Sequence, residues 1–235
     1  MEFDTGNRPD QSGSGDSGGG TGGGTDVRPP GMSASAGGEF DYRDPVQSFV
    51  ATVRRLVLEP VAFFRSMNRQ GDFVNPLLFS LICWEIAAVI GGFLGVLGSV
   101  VGLGARGVGE AIVSLFASLI ITPIVAAIVL FVAAGIIHLL VILLARPVST
   151  GFETTFRVIA YADVAILVTW IPILGALVGG VWYTVLSIFG VREAHQTSTG
   201  KAAVIVLVPV AVVVFILLVL ALIVGAVIFG ALNNM

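Results

Sequence analysis

Charge is what this chain lacks most. Only 11% of its 235 residues are Asp, Glu, Lys or Arg, against about 25% in soluble domains. Lysine is reduced to Lys201 beside eleven arginines. Cysteine is reduced to Cys83, which excludes an intramolecular disulfide and any cysteine-based metal site. Inside an apolar run, that thiol reads as a small buried hydrophobe. No basic cluster exists beyond the Arg54–Arg55 pair and its neighbours, so nucleic acid is not an expected partner. HEXXH, GXSXG, DFG and similar catalytic strings are absent, so no enzyme activity and no cofactor are expected. The first forty residues have no apolar h-region, so insertion falls to the first true transmembrane helix rather than to a cleavable signal peptide. The excess of Arg over Lys, with abundant Ala, Gly and Val, fits a GC-rich prokaryotic source.

Apolar residues make up 56% of the chain, and the mean hydropathy is +0.98. They are unevenly placed. Residues 1–40 are Gly, Ser, Asp and Pro with almost nothing to bury, so they cannot offset their conformational entropy and are expected to be a disordered tail. The GGGTGGGT run has no following Lys and is linker, not a phosphate loop. Residues 41–75 read differently. Asp44-Pro45 is a helix start. Val46, Phe49, Val50, Val53, Leu56 and Val57 then form an apolar stripe at helical spacing. Glu59-Pro60 breaks it, and a short second helix carries Phe63, Phe64 and Met67. Basic amphipathic helices with aromatics lie in the membrane interface, which makes Arg54, Arg55, Arg65 and Arg69 candidate lipid-headgroup contacts.

Residues 76–235 are apolar blocks, and long runs of this kind read as transmembrane helices. Two blocks are too long for one pass by length alone, and charge decides between the alternatives. Short cytoplasmic loops collect Arg and Lys. Let block 111–145 cross once and the block from Phe156 to Gly190 cross twice, turning at the WIPILG sequence around Pro172 and Gly175. Every basic residue except Arg106 then lies on the amino-terminal side. The expectation is an all-α, polytopic membrane bundle with five spans near 76–102, 111–145, 156–171, 175–190 and 202–231. Its amino terminus is cytoplasmic and its carboxyl terminus lies outside. A kink is expected near Pro123.

EPVAFFRSM (Glu59 to Met67), TTFRVIAYADV (Thr154 to Val164), IPILG (Ile171 to Gly175) and GVREAHQTSTGKA (Gly190 to Ala202), in this order around the spans, resemble the YIP domain, the Ypt/Rab-interacting-protein family of five-helix membrane proteins. The resemblance runs from about Phe40 to Phe229. It implies a cytoplasmic amino terminus and five helices. Eukaryotic relatives bind Rab-type GTPases in vesicle traffic. This chain lacks their D-L-Y-G-P-type signature and looks like the prokaryotic branch, where GTPase binding does not carry over.

Three ionisable residues fall at similar depth inside the apolar blocks. Glu85, His138 and Asp163 lie about 13, 11 and 9 Å from the cytoplasmic ends of their helices. Intramembrane charges face the bundle and find partners. The three are therefore expected to meet, with a His138 proton shared between the two carboxylates. One reading is a proton or ion relay; the plainer one is a polar clasp holding helices together. Trp84 reads as packing beside Glu85. Gly91-x-x-x-Gly95, Gly98-x-x-x-Gly102 and Gly175-x-x-x-Gly179 offer close helix packing within the bundle. His195 reads as a solvated loop residue. Two functions remain. The first is a non-enzymatic scaffold or adaptor whose partners are membrane lipids, other membrane proteins or a second copy. The alternative is a small proton- or ion-coupled permease using Glu85, His138 and Asp163.

Overall fold

The computed structural model describes residues 38–104, 106–145, 150–172 and 174–233. The expected tail up to residue 37, and Arg146, lie outside them. Among the described residues every regular element is a helix. Two short helices open the fold, α1 (Pro45–Leu58) and α2 (Pro60–Ser66), each with proline at its start and Glu59 between them. Proline has no N–H to give the preceding turn, so Pro60 ends one helix and begins the next. The α1 stripe is divided between two faces. Phe49, Val53 and Leu56 turn inward, with the Phe49 ring 5.3 Å from Phe79. Val46, at 74% exposure, faces outward together with Val50, Val57 and Leu58. On α2, Phe63 and Phe64 are fully buried, and Phe63 meets the Tyr161 ring edge-on at 5.1 Å.

Helices α3 (Val74–Val100) and α4 (Val108–Leu144) form a hairpin. Its turn needs a left-handed residue, which Gly102 supplies at φ 75°. The N–H groups of Leu103 and Gly104 both return to the Gly98 carbonyl, at 2.8 and 2.9 Å. Helix α4 runs through Pro123 as a single element.

The block expected as one span over 156–171 is instead compound. Helix α5 (Phe152–Ala162) gives way to a 3-10 helix at Asp163–Val168. Helix α6 (Leu174–Ala194) then folds back along both. A Cβ on Gly175 would overlap the Val168 carbonyl oxygen, one on Gly179 would sit 2.9 Å from the Ala165 carbonyl, and Gly190 lies against Val158. These pairs describe antiparallel helices at a separation only glycine permits. Gly91 and Gly95 behave otherwise: a Cβ on either meets nothing within 4 Å, so this pair does not pack inside the bundle. Helix α7 (Thr199–Asn233) closes the chain.

Among the described residues four helices, α3, α4, α6 and α7, are long and apolar enough to cross a membrane. Helix α5 is too short to be one of them, yet Thr154 through Ala162 are all buried. It packs against α3, α4 and α6.

Candidate functional site

Polar side chains concentrate where the start of α5 meets α2 and the end of α6. Arg157 enters the interior from α5 and is almost wholly buried. A buried guanidinium requires a partner, and it finds one 118 residues away. Glu39, just before α1, is 5% exposed. Its Oε2 accepts from Arg157 Nη1 and from the Tyr161 hydroxyl, both at 3.1 Å, and its Oε1 accepts from the Asn68 backbone N–H at 2.6 Å. Burial lifts the Glu39 carboxyl above its ordinary range, opposed by the Asn68 N–H, Arg157 and Tyr161. Glu153 adds a second carboxylate 3.9 Å from Arg157 Nε. Phe40 follows Glu39 into the core and packs on Phe79. The last two residues of the expected tail are thus an anchor.

A second set of bonds links four side chains in series. The Thr150 hydroxyl bonds His195 Nδ1. His195 Nε2 lies 3.0 Å from Thr155 Oγ1, and Thr155 Oγ1 lies 2.9 Å from His138 Nδ1. His195 is 5% exposed, so it is no solvated loop residue. Burial first, then the nearby His138 and Arg69, push its imidazole down to about 4. It is therefore neutral near pH 7 and passes one hydrogen bond on each side.

The structure seats the three expected intramembrane residues in different surroundings. Asp163 is buried and hydrogen-bonded by Ser80 and Trp84, both on α3. Trp84, the neighbour of Glu85 on α3, thus also stands close to Asp163. His138 turns to Thr155 and stands edge-on to the Phe152 ring at 5.6 Å. Glu85 is half-buried, and its Oε1 has no hydrogen-bond partner among the described residues. Among the described residues no hydrogen bond links any two of the three. Equal depth places residues in one layer, but each side chain follows the face its helix presents.

The four expected headgroup arginines are also divided. Arg65 Nε pairs with Glu193 Oε2 at 3.1 Å, and Arg69 Nη2 reaches the Glu193 carbonyl at 3.4 Å. Arg55 donates to Ser66 Oγ at 3.0 Å and lies over the Phe63 ring. Only Arg54 is exposed with no such bond among the described residues. Glu193 also pairs with Arg192 at 2.6 Å, so one carboxylate ties α2 to the end of α6.

Glu39, Tyr161, Thr155 and His195 escaped the sequence reading. One signal was present: Arg157 sits inside an apolar block, where a cation demands a partner.

Three of the four segments, EPVAFFRSM, TTFRVIAYADV and GVREAHQTSTGKA, contribute side chains to this polar layer. The chain matches the Yip1 domain over residues 54–230. It belongs to the Yip1-domain family. No curated protein and no solved structure matches the chain. As a Yip1-domain protein with several long apolar helices it is a multi-pass integral membrane protein.

Proposed function

We propose that this Yip1-domain protein is a non-enzymatic, five-pass membrane adaptor of a prokaryotic plasma membrane. Its amino terminus is cytoplasmic and its carboxyl terminus lies outside. The adaptor role rests on one observation. Arg65–Glu193, Arg69–Glu193 and Glu39–Arg157 staple α1 and α2 to the bundle, and α1 turns Val46, Val50, Val57 and Leu58 outward beside Arg54. A rigidly held apolar stripe with an adjacent guanidinium suits the boundary between acyl chains and anionic headgroups. Beyond it, every residue of α7 from Ala211 to Phe229 is exposed. That stretch is left to lipid, to other membrane proteins or to a second copy.

The fifth pass is supported by the α5–α6 hairpin. Gly175, Gly179 and Gly190 lie against Val168, Ala165 and Val158 in turn. The two segments therefore run side by side along most of α6. Eleven α-helical and six 3-10 residues measure about 28 Å, close to a hydrocarbon core of ~30 Å. If α6 crosses, its companion crosses beside it.

The interfacial reading is tested with a Val50→Cys, Cys83→Ala protein labelled with an environment-sensitive fluorophore in nanodiscs. Lipid-borne quenchers are expected to quench the label, more strongly with anionic lipid. Quenching only by a water-soluble agent overturns the reading. The permease alternative draws support from the His138–Thr155–His195–Thr150 chain. Proton flux in proteoliposomes that disappears in His138→Ala would favour it over the adaptor.

A further inference from the structure

Between the end of α2 and the start of α5 lies a cleft of about 450 Å3, lined by Arg65, Asn68, Arg69, Gln70, Thr150 and Gly151. Charge does not balance in this corner. Arg65, Arg69 and Arg192 gather about Glu193, the only carboxylate within 4 Å of any of them among the described residues. Arg65 and Arg192 share that carboxylate, at 3.1 and 2.6 Å. Arg69 has none. Its guanidinium donates only to neutral acceptors, the Glu193 main-chain carbonyl at 3.4 Å and the Gln196 side-chain oxygen at 3.2 Å, with that amide turned so that it finds partners. Three cations against one anion leave a formal surplus of two positive charges.

Arg69 is nevertheless fixed in place and partly buried. Its carbonyl accepts from the Thr154 hydroxyl of α5 at 2.7 Å. Gln196 is set by the helix end itself. It takes the left-handed position that closes α6, at φ 49°, and the Thr197 N–H returns to the Arg192 carbonyl at 3.1 Å. The Arg69 charge is felt beneath the cleft, where it adds to burial and His138 in holding down the His195 imidazole that bonds Thr150. A partly buried cation, held by neutral groups and left uncompensated in the wall of a cleft, calls for an anion.

The donors select the anion. Arg65 uses its Nε on Glu193, and its two terminal nitrogens have no partner among the described residues. Arg69 Nε has none there either. The Asn68 and Gln70 amides stand in the same wall. So many N–H groups suit the several oxygens of a phosphate better than the two of a carboxylate. We propose that the cleft binds a phosphate group between Arg65 and Arg69, carried by a lipid headgroup or by a free phosphate. The site lies off α1 and goes beyond the adaptor reading, which uses neither arginine as a ligand.

The full chain is melted in two settings, with a thiol-reactive fluorophore reporting exposure of the buried Cys83. In maltoside micelles, inorganic phosphate at low millimolar concentration is compared with acetate and chloride at matched ionic strength. In nanodiscs of phosphate-free galactolipid, added phosphatidic acid is compared with oleate. The midpoint is expected to rise with phosphate in one setting or both, as for any ligand of the native state alone, and much less with acetate or oleate. A rise with inorganic phosphate alone, or with phosphatidic acid alone, names the source. Arg69→Gln should weaken the apparent affinity at least about tenfold and Arg65→Gln about fivefold. Arg106→Gln, at the α3–α4 turn, should leave it unchanged. No rise in either setting overturns the proposal, and so does an equal rise with the carboxylates. An undiminished response in the Arg65 and Arg69 variants means a general salt effect only and also overturns it. Should Arg69→Gln fail to fold, Arg65→Gln decides alone, because that side chain is 69% exposed. None of these outcomes involves Val50 or Arg54, so failure here is distinguishable from failure of the interfacial reading.

Discussion

Replacing Glu39 by alanine tests whether the segment before α1 is an anchor. The carboxylate receives three donors: the Arg157 guanidinium, the Tyr161 hydroxyl and the Asn68 N–H. Arg157 and Glu39 are 5% and 6% exposed at their side chains, so water cannot replace the lost acceptor without opening the core. Stranding one member of a buried ion pair costs about 3–5 kcal/mol, and Glu153, 3.9 Å from Arg157 Nε, holds the cost toward the lower end. At roughly 2–4 °C per kcal/mol for a chain of this size, the midpoint should fall by about 10 °C. Arg157→Met should cost less. Burial already lifts the Glu39 carboxyl above its ordinary range, so without the cation it takes up a proton instead of remaining charged. The double variant should be far less damaging than the sum of the two, because it removes both charges and strands neither. Cys83 provides the assay. It is fully buried and is the only cysteine in the chain, so a thiol-reactive fluorophore in a thermal ramp reports unfolding directly. A shift under about 2 °C for Glu39→Ala, or strict additivity in the double variant, would show that the pair contributes nothing to the fold.

Glycine substitutions should divide by location. Gly175→Ala forces a methyl into the Val168 carbonyl and should cost about 1–3 kcal/mol, whereas Gly95→Ala, which meets nothing within 4 Å, should leave the same melt unchanged or slightly raised. His195 predicts a pH dependence with a definite sign. Its folded value of about 4 lies below the ordinary 6.5, so the unfolded chain binds the extra proton between them. Stability should therefore be full above about pH 6.5 and fall by up to about 3 kcal/mol as pH drops toward 4. His195→Asn should lose that slope, and parallel curves for the two proteins would refute the buried neutral imidazole. Five passes require the two termini to lie on opposite faces. Impermeant labelling of single cysteines placed at each end should reach one face only, and labelling of both from the same side would leave α5 as a re-entrant element.

What local sequence can carry and what it cannot separate cleanly here. The long apolar helices, the Pro60 break and the sign of the flanking charges each depend on neighbours a few residues apart, and hydropathy within such a window suffices to place them. Residue depth is also local, since it follows from counting along a helix. That is why Glu85, His138 and Asp163 could be assigned to one layer. Their partners could not be assigned, because a partner depends on how each helix is rotated about its axis, and rotation is set by packing. The α1 stripe shows the same limit: its six apolar positions share one side of the helix, but only contact with Phe79 decides that Phe49 goes inward while Val46 and Val50 go out. The break at Asp163 is likewise tertiary, since Ser80 and Trp84 of another helix hold its carboxylate. Glu39 is the clearest case. Within its own stretch of glycine and serine it has nothing to bury against, and only the arrival of Arg157 from 118 residues away makes its burial favourable.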